Sequence, residues 1–299
     1  MSNPKLALIP SGYKEDEVYS ILPNDGSGDF SFVRVGAGTR VNKDGLIETI
    51  GASTDDIPRL DWLNSECPNL LLEVQETNSV TYSESSTGKT LTGITLTDNE
   101  AISPTGELNA MLMKEDTSTG KHRFTTNSLF GLGGVGYSFS MFVKKNSDNR
   151  FIFINAGAFI GVSGSFDLDT QAVTGSVQLL NNYGNGWYRI GVSATKSGTG
   201  TGNIFVQMQQ GTTDADYTGD ESSVYVWGLQ FEQTLTPTSY IPNLATGSTT
   251  RNAETCSVTT PSGVTQIVET FSDDTTNTIT SIPTTYNISN GRIKKVIMT

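Results

Sequence analysis

Residues 222–242, "SSVYVWGLQFEQTLTPTSYIP", form the densest run of large rings in a chain otherwise rich in Gly, Thr and Ser. Their reading decides between a sugar-stacking surface and a packed strand. In "VYVWGLQFE" the odd positions are Tyr225, Trp227, Leu229 and Phe231, and the even ones Val224, Val226, Gly228, Gln230 and Glu232. Side chains alternate across a strand with a period of two, so one face is wholly apolar and aromatic while the other turns polar. That pattern is a half-buried strand. A sugar platform would instead interleave exposed rings with Asn, Asp and Gln on a single face. The alternation therefore predicts Tyr225, Trp227, Leu229 and Phe231 in a sandwich core, and "TPTSYIP" as the crossing that leads out of it.

The same period recurs upstream. "YSFSMFVKK" sets Tyr137, Phe139, Met141 and Val143 against Ser138 and Ser140, and "NIFVQMQQ" points Ile204, Val206 and Met208 inward. "NGWYRIGVSAT" sets Tyr188, Ile190, Val192 and Ala194 against Trp187 and Arg189, and "NRFIFINAG" is apolar on both faces and so central. "GSFDLDTQAVTGSVQLL" reads as strand, turn, strand, with Phe166 and Leu168 facing Val173 and Val177. Short strands joined by turns and almost no helical period predict an all-β chain built on an antiparallel jelly-roll sandwich. The clearest helical candidate, "PRLDWLNSE" near residues 58–66, reads equally well as an extended lead into the first strand.

Three segments follow. Residues 1–56 read as an N-terminal β attachment module, with a turn cluster at "NDGSGDF" and a hairpin turn at "NKDG". Residues 57–252 read as the sandwich. Residues 253–299 read as a small C-terminal β module that ends on the strand "RIKKVIM", which must be paired because an open edge invites aggregation. The two end modules are too small for strong cores of their own, so each is expected to pack on a neighbouring domain or another chain.

Composition removes several function classes. Of 299 residues 35% are hydrophobic, and the net charge is −12; nucleic-acid binding needs a basic face that such a chain lacks. No apolar run approaches the roughly 20 residues of a membrane helix, and the N-terminus reads as carrying no export signal. Cys67 and Cys256 make no disulfide framework, and a reducing compartment keeps them free. His122, the single histidine, excludes two-His metal sites and sits in "TGKHRF" as a strand residue rather than a base.

Candidate site residues lie outside the core pattern. Trp187, Tyr183 in "NNYGNGW" and Tyr217 in "DADYTGD" are the rings that could stack on sugars; for Trp187 the alternative is packing beneath a flanking loop. Asp214, Asp216, Asp220 and Glu221 gather hard oxygen ligands in one loop, as Ca²⁺ prefers, though without the ordered spacing of a calcium loop. No other cofactor is indicated. Asp167 and Asp169 share a face at i, i+2, the nearest approach to a glycosidase carboxylate pair, but they border a turn. Nothing else suggests catalysis, so the chain reads as non-enzymatic, with a glycoside hydrolase or lyase a distant alternative.

In order and spacing, "PRLDW", "CPNLLLEVQETN", "YSFSMFVKK", "FDLDTQAVTG", "NGWYRIGVSAT", "YTGDESSVYVWGLQFEQ", "PTSYIP" and "TRNAETCSV" resemble bacteriophage virion proteins that carry a concanavalin-A-like, carbohydrate-binding-module-like jelly roll. "PKLALIPSGYKEDEVYSILPNDGSGDFSFVR" and "PSGVTQIVETF" resemble the flanking modules of such proteins. The resemblance covers nearly the whole chain. It implies a fibre, spike or decoration component located in the virion, made in the host cytoplasm. It further implies partners among other virion proteins and copies of the chain itself, a trimer fitting well, with host surface glycans as a further ligand. It transfers no catalytic residue. A dedicated receptor-binding protein that recognises carbohydrate is the main alternative.

Overall fold

The computed structural model describes residues 4–10, 20–22, 30–51, 57–148 and 150–299. They form two units, one of residues 76–250 and one that combines residues up to 75 with residues from 251 onward.

Residues 76–250 are the sandwich. Its strands are β1 (Thr90–Thr92), β2 (Ile94–Ile102), β3 (Leu108–Glu115), β4 (His122–Thr125), β5 (Gly136–Lys145), β6 (Phe151–Asn155), β7 (Ser163–Asp167), β8 (Val173–Gly175), β9 (Gln178–Asn182), β10 (Trp187–Thr195), β11 (Phe205–Gln209) and β12 (Ser223–Glu232). One six-stranded sheet runs β2-β3-β12-β5-β10-β9 and the other β8-β7-β6-β11-β4-β1. Within each sheet the neighbours pair antiparallel. The core lies between them and takes the residues that alternation assigns to it: Tyr137, Phe139, Met141 and Val143 from β5, Ile190 and Val192 from β10, Val206 and Met208 from β11. β6 is central, paired on both sides, and Phe166 faces Val173 across the predicted turn. The fold class predicted from the sequence is therefore the fold observed.

The opening strand departs from its prediction in an instructive way. Phe142 pairs with Trp227, but Ser140 pairs with Gln230, so Met141 alone faces both Gly228 and Leu229. This is a β-bulge, and the extra residue is Gly228 at φ +61°, a left-handed conformation that glycine adopts without a Cβ penalty. A one-residue insertion flips the phase of a period-two pattern. Val224 and Val226 point into the core before the bulge, and Leu229 and Phe231 after it. Trp227 is thus buried, at 0% exposure, but on the outer face of the sheet, against Phe142 at 5.1 Å and Tyr240 at 4.5 Å between ring centroids. The "TPTSYIP" tail does not lead away; it lies along that outer face. Arg189 donates to the Thr238 carbonyl at 2.7 Å, and Gln230 exchanges bonds with the backbone of Ser239 and Ile241.

The second unit corrects the predicted boundaries, which separate residues 1–56 from residues 253–299. Leu6–Leu8 pairs with Gly291–Met298, and Phe30–Val33 pairs with Thr255–Thr259. Residues 57–75 belong here too, since Asn69–Leu72 pairs with Gly291–Met298 and with Arg59–Asp61. The physical reason is that neither end segment can bury a core or satisfy its strand edges alone. Together they enclose Leu6, Phe30, Phe32, Leu70, Cys256, Val258, Ile293 and Val296. A buried Glu254 ties the halves further, accepting from Arg34 at 2.9 Å and from Arg59 Nε at 2.6 Å. The "NKDG" hairpin forms as expected between Gly38–Val41 and Ile47–Ile50. "PRLDW" takes its extended alternative, as the strand Arg59–Asp61. Of "NDGSGDF", residues 24–29 lie outside the described residues. Among the described residues no helix is long and apolar enough to cross a membrane.

Candidate functional site

The outer face of the β8-β7-β6-β11-β4-β1 sheet carries the arrangement that alternation alone would ask of a sugar-binding surface. Because Phe124, Ile152, Ile154, Phe166, Val206 and Met208 point into the core, the residues between them point outward. Register then aligns them in rows across the strands. Arg123, Gln207, Phe153, Ser165 and Thr174 lie opposite one another in one row, and Thr125, Phe205, Asn155 and Ser163 in the next. The Arg123 guanidinium stacks 4.3 Å from the Phe205 ring centroid and donates to Gln207 Oε1 at 3.3 Å. Its Nε is buried without a hydrogen-bond partner among the described residues. Phe151 and Phe205 are half-buried, whereas Phe153 and Gln207 are buried at 7% and 0% exposure.

The loop of residues 210–216 lies on this face, with Asp214 as its hub. Asp214 Oδ1 accepts from Lys121 Nζ at 2.6 Å and from Gln207 Nε2 at 3.0 Å, and Oδ2 accepts from Asn155 Nδ2 at 3.1 Å. Partial burial works to raise this carboxyl, but the three donors outweigh it and hold the group below the usual carboxylate range. Lys121 also meets Asp216 at 3.1 Å.

At the end of β3 a second polar cluster is already satisfied. Buried Glu115 accepts from the Tyr217 hydroxyl at 2.6 Å, from Arg150 Nη2 at 2.7 Å and from the Asp220 amide at 3.0 Å. Burial, then the Glu115 hydrogen bond, pushes the Tyr217 hydroxyl far above its ordinary value. The Tyr217 ring lies 4.5 Å from buried His122, whose Nδ1 sits 2.7 Å from the Gly93 carbonyl. These groups spend their hydrogen-bonding capacity on one another, which is a structural use of polar side chains.

The sequence-derived candidates distribute as follows. Trp187, expected as an outward ring or as packing under a loop, is buried at 2% exposure, with Nε1 donating to the Ile102 carbonyl at 3.0 Å. The end of β2 covers it, so Trp187 is no platform. Tyr183 is half-buried and packs edge-on against Phe142 at 4.9 Å. Tyr217 is committed to Glu115. The four acids proposed for calcium do not converge. Asp214 and Asp216 meet Lys121, Asp220 meets Arg150 at 2.5 Å, and Glu221 meets Lys114 at 3.6 Å. Among the described residues no group of three or more His, Cys, Asp or Glu is placed to hold a metal ion. Asp167 shapes its turn, accepting from the Asp169 and Thr170 amides at 2.8 and 3.2 Å, while Asp169 pairs with Lys145 at 2.5 Å. Against the opposing effect of burial, the Thr170 hydroxyl, donating at 2.6 Å, and then those two amides hold the Asp167 carboxyl low, whereas a general acid needs a raised one.

The two rows that hold Arg123, Phe153 and Gln207, and Asn155 and Phe205, were missed because each residue lies on a different strand from most of its neighbours. The only signal in the sequence was that the outward positions of "FIFIN" and "FVQMQ" mix rings with amides, and that "HRFT" sets Arg123 and Thr125 outward.

No family model and no curated protein matches the chain. Among solved structures, the enzymatically active domain of bacteriophage CBA120 tailspike protein 4 overlaps it at a TM-score of 0.32 and 16% identity, over 52% of this chain. The CBM22-1–GH10 modules of Clostridium thermocellum endo-1,4-β-D-xylanase 10B, complexed with xylohexaose, overlap at 0.30 and 19%, over 56% of it. The matches span 21% and 29% of those chains. Likenesses this slight say nothing about activity. The fold defines a class, an antiparallel β sandwich inserted in the sequence of a second, all-β unit.

Proposed function

We propose that the chain is a non-enzymatic structural component of a bacteriophage virion whose sandwich adheres to carbohydrate through the outer face of its β8-β7-β6-β11-β4-β1 sheet. The observation that carries the adhesive part is the row structure of that face. Phe151 and Phe205 offer ring surface for sugar C–H groups, and the half-buried Arg123, Thr125 and Asn155 stand beside them as polar partners for hydroxyls. The virion assignment rests on the sequence resemblance, and the composite unit built from both ends of the chain suits attachment to other virion proteins or to further copies.

A glycan array, read with the wild-type chain and with Phe205→Ala and Arg123→Ala, tests the adhesive part. Binding that both variants lose by about tenfold or more, the loss of about 1.4 kcal/mol, supports it. No wild-type hit, or hits indifferent to both changes, refutes it. Antibody labelling of intact particles tests the virion part; particles free of the protein refute that.

A further inference from the structure

The loop of residues 210–216, "QGTTDAD", has a single apolar side chain, Ala215. Its hold on the sheet is therefore polar. The Gln209 side-chain amide lies 3.2 Å from the Thr213 and Ala215 carbonyls. Lys121 Nζ donates to the Asp214 carbonyl at 3.0 Å. Most of the remaining ties converge on the Asp214 carboxylate, from an ammonium and two amides, and Lys121 also meets Asp216 at 3.1 Å. Those donors come from three separate places, Lys121 just before β4, Asn155 at the end of β6 and Gln207 on β11. The backbones of Asn155 and Gln207 are held by strand pairing and not by the loop.

Two amides and an ammonium aimed at one point, beside the Phe153 ring and the buried, unpaired Arg123 Nε, are a receptor for a carboxylate on a ring-shaped ligand. We infer that residues 210–216 are a displaceable strap, and that the Lys121, Asn155 and Gln207 donors beneath it form a subsite for a carboxylate-bearing sugar, with Asp214 as its internal stand-in. This rests on the reading of the same sheet face as carbohydrate-binding, and it assigns the ligand class. The chain's net charge of −12 opposes an acidic ligand only weakly, because charges farther off than about 8 Å are largely screened at physiological salt. Lys121 and Arg123 supply the local positive charge.

The strap competes with the ligand, so a chain in which it is released in a tenth of molecules or fewer binds at least about tenfold more weakly than one without the competitor. Asp214→Ala should therefore bind trigalacturonate or sialyllactose at least about tenfold more tightly than wild type. Its affinity for the uncharged counterparts, trigalactose and lactose, should be unchanged. Amide exchange over residues 210–216 should rise in the same variant. Adding Gln207→Ala and Asn155→Ala to Asp214→Ala should abolish the gain. Equal affinity of wild type and Asp214→Ala for both acidic probes overturns the inference, as does unchanged exchange across the strap. An Asp214→Ala chain that gains acidic-sugar binding indifferent to Phe205→Ala would keep the subsite and remove the wider reading of the face. Neutral-sugar binding lost with Phe205→Ala, but no acidic gain, would do the reverse.

Discussion

Gly228→Ala tests the bulge that reverses the strand "VYVWGLQFE". The backbone there has φ +61°, and an added Cβ would stand 2.8 Å from Phe142 Cδ2 and 3.3 Å from Tyr240 Cε2. Two costs combine. Holding an L-residue in the left-handed region costs about 1–2 kcal/mol. Forcing a methyl against buried rings costs about 1–3 kcal/mol more, because Phe142 packs edge-on against Trp227 and Tyr240, which tilt against each other, and the three leave little room to shift. The expected loss is roughly 2–5 kcal/mol. Urea unfolding followed by tryptophan fluorescence measures it, since Trp187 and Trp227 both lie in the sandwich and are buried there. Gly247→Ala is the control, as a Cβ at Gly247 meets nothing within 4 Å; it should stay within about 0.5 kcal/mol of wild type. Phe142→Leu combined with Gly228→Ala should recover part of the steric share but none of the backbone share, and so show a favourable coupling energy. A Gly228→Ala chain as stable as the control would refute the bulge, and with it the placement of Trp227 on the outer face.

Trp187→Ala should cost about 3–5 kcal/mol of sandwich stability by leaving a cavity where a buried ring stood. Sugar binding per folded molecule should be unchanged, and an array signal lost without a stability loss would restore Trp187 as a platform. Lys89 donates to the Thr81 and Tyr82 carbonyls at 2.9 and 3.0 Å, and burial, countered by Asp98, pulls its ammonium down to about 8. Its folded value lies below its unfolded one, so between them the unfolded chain binds more protons. This group therefore destabilises the fold below about pH 8, and the cost is lifted as the pH rises from there toward about 10.4. Relative to Lys89→Met, wild type should gain stability between about pH 7 and pH 10, and a constant difference over that range would show the ammonium to be unstrained.

The sequence by itself determined what depends on neighbours along the chain. Alternation in "YSFSMFVKK", "YRIGVSAT" and "IFVQMQ" assigns each side chain to a face because strand geometry has a fixed period. The turns at "NKDG" and "DTQA" follow from residues that favour turns locally. Several decisions belonged to the tertiary structure. The phase reversal at Gly228 arises only when one strand pairs with another of different residue count, so an unbroken alternation in sequence concealed it. The union of the two chain ends depends on edges nearly 300 residues apart, Leu6 opposite Met298, for which no local pattern exists. The acids of "TTDADYTGDE" looked alike as a row of charges, and only folding gave them different cations: Lys121 for Asp214 and Asp216, Arg150 for Asp220, Lys114 for Glu221. Periodicity fixes where a side chain points, but what it meets there is set by strands distant in sequence. The face that carries the proposed function is made almost wholly of such meetings.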